Sequence, residues 1–126
     1  MKYLVDSSAW IEYLEGSTKG EKVNEILKED HEIIVLPINI AEVISYISRK
    51  EGNSDLAYDV IIKNSKQFNI TPKIAKEAGL LHSKMKEEKQ GFSLADAFIA
   101  ITAKSLSANI LTKDNHFKQF KEVTIL

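Results

Sequence analysis

The chain reads as a three-layer α/β domain with a mainly parallel central sheet. Three observations predict this class. Short β-rich runs alternate with helical stretches along the 126 residues, the order that strand–helix–strand crossovers leave in a sequence. The runs are apolar on both sides, as strands covered on both faces tend to be. Several helical stretches also open on a start signal, a Ser or a Thr-Pro pair ahead of an apolar-periodic segment.

The first strand is "KYLV" (2–5), and it meets Asp6 at once. A helix near 7–14 follows, with Trp10, Tyr13 and Leu14 as its packing side chains, then a second helix near 19–29. The second strand, "EIIVL" (32–36), leads to a helix over 38–51. On a helical wheel Ile40, Val43, Ile44 and Ile47 share one face, and Glu42, Ser45 and Arg49 the other. Gly52 falls where that helix should end, and Ser54 precedes the next, over 54–65. The third strand is "QFNI" (67–70). Thr71-Pro72 opens a helix over 72–89, with Gly91 at its expected end, and Ser93 precedes a helix over 93–107. The last strands are "NILT" (109–112) and "EVTIL" (122–126), with a short turn of helix near 115–120 between them.

Length fits one domain over residues 1–126, large enough to bury a core. No apolar run approaches the roughly 18–20 residues of a membrane span, and the first residues lack the apolar core of a signal peptide. The chain has no cysteine, which removes disulfides and thiolate metal sites and points to a reducing, cytoplasmic setting. The net charge is -1, with 17 basic and 18 acidic residues. Such a balance argues against holding nucleic acid by bulk positive charge. It remains compatible with a nuclease, in which acids gather metal at one spot and lysines lie around it.

Four acids stand where this fold class places ligands, beyond the carboxyl ends of the strands. Asp6 ends the first strand, and Asp114 comes just after "NILTK". Either can simply cap the helix it precedes. Glu42 lies one turn into the helix after the second strand, on the polar stripe where solvated side chains are ordinary. Asp96 differs. Ser93-x-x-Asp96 resembles a capping box, yet Leu94, Ala95, Ala97, Phe98, Ile99, Ala100 and Ile101 leave it no solvent side. A buried carboxylate is costly unless hydrogen-bonded, paired or bound to a metal. Taken together the four would repel one another, so a cation should neutralise them. Oxygen ligands favour Mg²⁺ or Mn²⁺ over zinc, and such an ion suits hydrolysis of a phosphodiester.

With these residues in place the chain resembles PIN-domain proteins, and especially the VapC toxins of prokaryotic toxin–antitoxin pairs. The matching stretches are "LVDSSAWIEYL", "NIAEV" with Glu42, "SLADAFIAITA" with Asp96, and "NILTKDNHF" with Thr112 and Asp114. They occur in the family's order and at family-like spacing over essentially the whole chain. The resemblance implies a PIN-like parallel sheet of order 3-2-1-4-5, with Asp6 and Asp114 as neighbours at the switch point. It implies that Asp6, Glu42, Asp96 and Asp114 are catalytic and bind one or two Mg²⁺ or Mn²⁺ ions. Ser7, Ser8 and Thr112 would line the site, Thr112 matching the hydroxyl of the family's T-x-D element. Many relatives carry Asn where Ser8 stands, and some carry another acid where Asn115 stands. The implied reaction is hydrolysis of single-stranded or looped RNA. The implied partners are a small cognate antitoxin and a second copy of the chain, in a homodimer.

Other readings fit less of the chain. A phosphoacceptor domain would show an acidic pair after its first strand, and a small phosphatase a D-x-D, whereas this chain has "VDSS". A catalytically silent PIN module would not need all four acids. His31, His82 and His116 lack zinc-ligand spacing and read as solvated or locally bonded. The lysines of "HSKMKEEKQG" read as a solvated helix end, or with Lys113 and Lys118 as a guide for an RNA backbone.

Overall fold

The structure, a computed structural model, describes residues 1–88 and 91–126. Five parallel strands are laid out in the order β3-β2-β1-β4-β5. These are β1 (Lys2–Val5), β2 (Glu32–Val35), β3 (Lys66–Gln67), β4 (Asn109–Thr112) and β5 (Val123–Ile125). Six α-helices connect and cover them: α1 (Ser7–Glu15), α2 (Thr18–Lys28), α3 (Pro37–Arg49), α4 (Ser54–Asn64), α5 (Pro72–Glu88) and α6 (Leu94–Leu106). The predicted class and strand order are those observed.

Alternation along each strand divides the core in two. Leu4, Ile34 and Ile110 point to a cluster that includes Ala78, Phe92, Ala97, Ala100 and Phe117, beneath α5 and α6. Their neighbours Tyr3, Val5, Ile33, Val35 and Leu111 point to the other cluster, with Trp10, Val23, Val43 and Ile61 from α1 to α4. Both faces of the central strands are thus covered, which is why their sequences are apolar at consecutive positions. Among the described residues no helix is long and apolar enough to cross a membrane.

Boundaries moved where side chains competed with the pattern. The third strand was expected over 67–70, but only Lys66 and Gln67 pair with β2. Phe68 and Ile70 pack against the α5–α6 core instead. The cap of α4 is Asn53 rather than Ser54, its side chain accepting from the Leu56 N–H at 3.0 Å. Gly52 does not supply the left-handed residue after α3; Glu51 does, at φ 57°. A Cβ on Gly52 would sit 2.9 Å from Ile47 Cγ2, so glycine is there for space. Pro72 opens α5 as expected, with Thr71 Oγ1 accepting from Ile74 N. The expected last residue of that helix, 89, lies outside the described residues. The turn expected near 115–120 is a shorter 3₁₀ turn, Asn115–Phe117, anchored by the fully buried Phe117.

This topology makes the site. From β1 the chain moves outward to β2 and β3, then returns to lay β4 on the other side of β1. The two central strands therefore end together, and their helical connections depart on opposite sides of the sheet. A crevice opens beyond their carboxyl ends.

Candidate active site

Asp6 is set by its backbone before its side chain. Its N–H donates to Leu111 O at 2.9 Å, continuing the β1–β4 ladder by one residue. It then occupies the N-cap position of α1 in extended conformation, but its side chain makes no cap hydrogen bond. The carboxylate turns instead toward β4. Thr112 Oγ1 donates to its Oδ2 at 2.8 Å and Ser8 Oγ to the same oxygen at 3.0 Å. The capping alternative for Asp6 is therefore not the one adopted. Burial pushes its pKa up to about 6 against the pull of these hydroxyls, and the charge of Asp96 adds to the rise.

Asp114 hangs on the same threonine. Its N–H donates to Thr112 Oγ1 at 2.9 Å, so one hydroxyl ties the first acid to the chain carrying the last. Asp114 Oδ1 accepts from His116 N at 2.9 Å, capping the 3₁₀ turn. Capping and site placement coexist here, since one oxygen suffices for the cap.

Asp96 is only 8% exposed and completes the capping box its sequence suggested. Ser93 Oγ accepts from Asp96 N at 3.0 Å, and Asp96 Oδ2 accepts from Ser93 N at 2.9 Å. Burial raises its pKa, the bonds from Ser93 oppose the rise, and the Asp114 charge adds to it. Asp96 is buried although Ser93 and Leu94, at the start of the same helix, are exposed.

Glu42 is exposed on α3 yet not free. Its Oε1 accepts from Ser7 Oγ at 3.1 Å and from Asn39 Nδ2 at 3.4 Å. Ser7 Oγ also stands 3.4 Å from Asp6 Oδ1, so Glu42 lies one hydroxyl away from Asp6.

Asp6, Glu42 and Asp114, with Ser7, Ser8 and Thr112, thus form one connected polar network at the strand ends, and Asp96 approaches it through the His116 ring. The remaining expected residues stand further out. Asn115 is exposed, and its side chain makes no hydrogen bond among the described residues. Lys118 is exposed. Lys113 donates its backbone N–H to Ser8 Oγ at 3.0 Å, while its amine pairs with Glu12 Oε2 at 3.3 Å.

Two residues escaped the sequence reading. Asn39, fully buried, is the donor that holds Glu42; its signal was an Asn three residues ahead of a Glu on one helix face. His116 was weighed only against zinc spacing, yet its ring stands between Asp96 and Asp114. An imidazole two residues past an acid at a strand end was the cue.

The donor set can be tested against a divalent cation. Asp96, Asp114 and His116 each offer an atom within 4.8 Å of the others. Among the described residues no lysine or arginine pairs with any of the four acids. The charge of Asp96 raises the pKa of Asp6, and that of Asp114 raises the pKa of Asp96, as expected of a cluster short of positive charge. Local donors hold one oxygen of Glu42 (Oε1), Asp96 (Oδ2) and Asp114 (Oδ1), while Asp6 is held firmly at Oδ2 and more loosely at Oδ1 by Ser7. Glu42 Oε2 and Asp114 Oδ2 accept no hydrogen bond among the described residues. Hard oxygen donors with open lone pairs and unbalanced charge fit Mg²⁺ or Mn²⁺.

Comparison with known proteins follows the same outline. No curated protein sequence matches the chain. Solved structures do resemble it. A VapC toxin of Mycobacterium tuberculosis that cleaves the sarcin–ricin loop superposes with a TM-score of 0.78 at 16% identity, over 96% of this chain and 98% of that one. A chain of the VapBC2 complex of Rickettsia felis, bound to a promoter DNA fragment, gives 0.76 at 17% identity, over 100% and 98%. One from a toxin–antitoxin complex of Klebsiella pneumoniae gives 0.75 at 20%, over 97% and 95%. At such identities the likeness is one of fold. The family model for the PIN domain matches residues 3–123, from the first strand to the last. With that match over nearly its whole length, the chain belongs to the PIN domain family.

Proposed function

We propose that the chain is an endoribonuclease dependent on Mg²⁺ or Mn²⁺, the toxin of a VapBC-type toxin–antitoxin pair, acting as one PIN domain in the cytoplasm. One observation carries the reading: four carboxylates lie near the switch point of the sheet, tied by local donors and, among the described residues, unpaired with any lysine or arginine. Structural stability alone gives no reason to gather them there. The fold shared with toxin chains, one of them a toxin that cleaves the sarcin–ricin loop, supports RNA as substrate. The toxin–antitoxin complexes among the similar structures support a small cognate antitoxin as partner. A homodimer is proposed on the family resemblance.

Asp6, Glu42, Asp96 and Asp114 would hold the ion or ions. When bound, the metal lowers the pKa of a coordinated water and offsets charge growing on a phosphoryl oxygen. The protein supplies rigidity. Ser8 and Thr112 fix Asp6 Oδ2, so its other oxygen keeps one heading. The capping box fixes Asp96 to the start of α6, where the helix dipole also favours its negative form. Ser7 couples Asp6 to Glu42, and Asn39 braces Glu42 from the buried side of α3. No nucleophilic side chain is required. Lys113 and Lys118, both exposed, would guide the RNA backbone, Lys113 once its amine leaves Glu12, with Asn115 as a further polar group at the site.

The test is cleavage of RNA by the purified chain. Mn²⁺ or Mg²⁺ should be required, a chelator should stop the reaction, and Asp96→Asn should abolish it with the fold intact and no loss of melting temperature. Unchanged cleavage by that variant would sink the metal-ligand assignment.

A further inference from the structure

We infer that His116 is a positioning residue of the metal site, a clamp joining the acid of α6 to the acid that follows β4. The inference rests on the metal reading of the site given above. His116 Nδ1 lies 3.0 Å from Asp114 Oδ1 and 3.6 Å from Asp96 Oδ2. Both are the oxygens already engaged by backbone N–H groups, Asp114 Oδ1 by His116 N and Asp96 Oδ2 by Ser93 N. The ring therefore approaches each acid on its tied oxygen. A first ligand of the ion would be expected among the open oxygens instead.

Nδ1 is shut off from solvent and aligned for a full hydrogen bond with neither carboxylate. A bare lone pair there would face two anions. An Nδ1–H directed between them is attracted to both, whether the ring is the neutral tautomer or the cation. Two further features hold the ring in place. Phe117, the next residue, is fully buried and stacks edge-on with Phe92 at 6.2 Å between centroids. On the other edge, a Cβ at Gly91 would lie 2.9 Å from Nε2, so only a glycine, here at φ 89°, leaves the ring its place. Asp96 and Asp114 belong to different elements, and nothing else among the described residues bridges them by a side chain. Without the clamp their separation would be set by backbone positions alone, with two like charges pushing apart. Outer partners of metal-binding side chains act in this way, and their loss typically weakens affinity about 10–100-fold.

Mn²⁺ binding by the full-length chain, measured by calorimetry and by electron paramagnetic resonance, tests this without recourse to activity. His116→Ala and His116→Gln should each weaken Mn²⁺ binding by about 10-fold or more. His116→Asn should restore most of the affinity, because its amide nitrogen falls where Nδ1 stood, whereas that of Gln reaches further. Melting temperatures of the metal-free variants, above all the polar Asn and Gln pair, separate this effect from misfolding. Wild-type affinity in both Ala and Gln variants would overturn the clamp, as would Asn binding as weakly as Gln. A nitrogen hyperfine coupling to Mn²⁺ that vanishes in His116→Asn would make the ring a direct ligand and overturn it too. No Mn²⁺ binding by the wild type would instead remove the metal reading on which the inference stands.

Discussion

Asp96 has two tasks that a single substitution separates. Its Oδ2 closes a capping box, and its charge faces Asp114 and Asp6. Asparagine keeps a carbonyl oxygen for the Ser93 N–H but loses the charge. Asp96→Ala loses both, and should unfold about 1 kcal/mol more readily than Asp96→Asn in urea, the usual net worth of one hydrogen bond. Cleavage should be absent from both.

Asp6 gives a pH signature. Burial holds its folded pKa near 6 against an ordinary value of 3.8, so the folded chain binds that proton more tightly than the unfolded chain. The resulting stabilisation is complete below the unfolded pKa and is lost as pH rises through about 6. At pH 8 the metal-free protein therefore bears a cost of about 3 kcal/mol from this group. Asp6→Asn should be more stable than wild type at pH 8 in chelator, and the gap should close toward pH 4. Urea melts at the two values measure it. Metal binding has the opposite slope, since the ion needs the carboxylate ionised, and affinity should fall as pH drops below about 6.

At the scale of elements, close packing at one glycine supports the site from behind. α1 carries Ser7 and Ser8 into the network, and α2 crosses it at Gly20. A Cβ on Gly20 would come 2.7 Å from the Glu12 carbonyl carbon and 2.9 Å from Tyr13 Cα. Both are backbone, which cannot rotate away. Gly20→Ala should cost about 3 kcal/mol, the upper end of ordinary overpacking, read as a lowered melting temperature. The elements were largely legible in the sequence: Ser93 and Pro72 mark helix starts because caps and proline act locally. The third strand was misplaced because Phe68 and Ile70 satisfy a strand pattern as well as a core contact. Gly52 was read as marking the end of its helix, yet the space beside it is taken by the methyl of Ile47, a contact that no pattern of glycines reveals.

At the scale of the molecule, burial and neighbouring charge disfavour the ionised forms of Asp6 and Asp96, a cost that a bound cation would offset. Saturating Mn²⁺ at about 100 times its dissociation constant should add about 2.7 kcal/mol of stability, seen as an upward shift in melting temperature that chelator reverses. In the chain lacking Asp6, Asp96 and Asp114 charges the shift should vanish. A shift that survives their removal would place the ion elsewhere.

Fold class was legible along the chain, strand order came through the family resemblance, and the four acids could be picked out as candidates from their places after strands and in an apolar helix. Period-two burial, caps and charged residues at strand ends are local facts, written one after another along the chain. How the acids are held was not legible there. Thr112 bridges Asp6 and Asp114, Ser7 couples Asp6 to Glu42, Asn39 braces Glu42, and His116 reaches both Asp96 and Asp114. Hydrogen bonds act over about 3 Å, and the contacts of Thr112 with Asp6, Ser7 with Glu42 and His116 with Asp96 join elements distant in sequence. Those distances exist only once the chain has folded and β4 lies against β1.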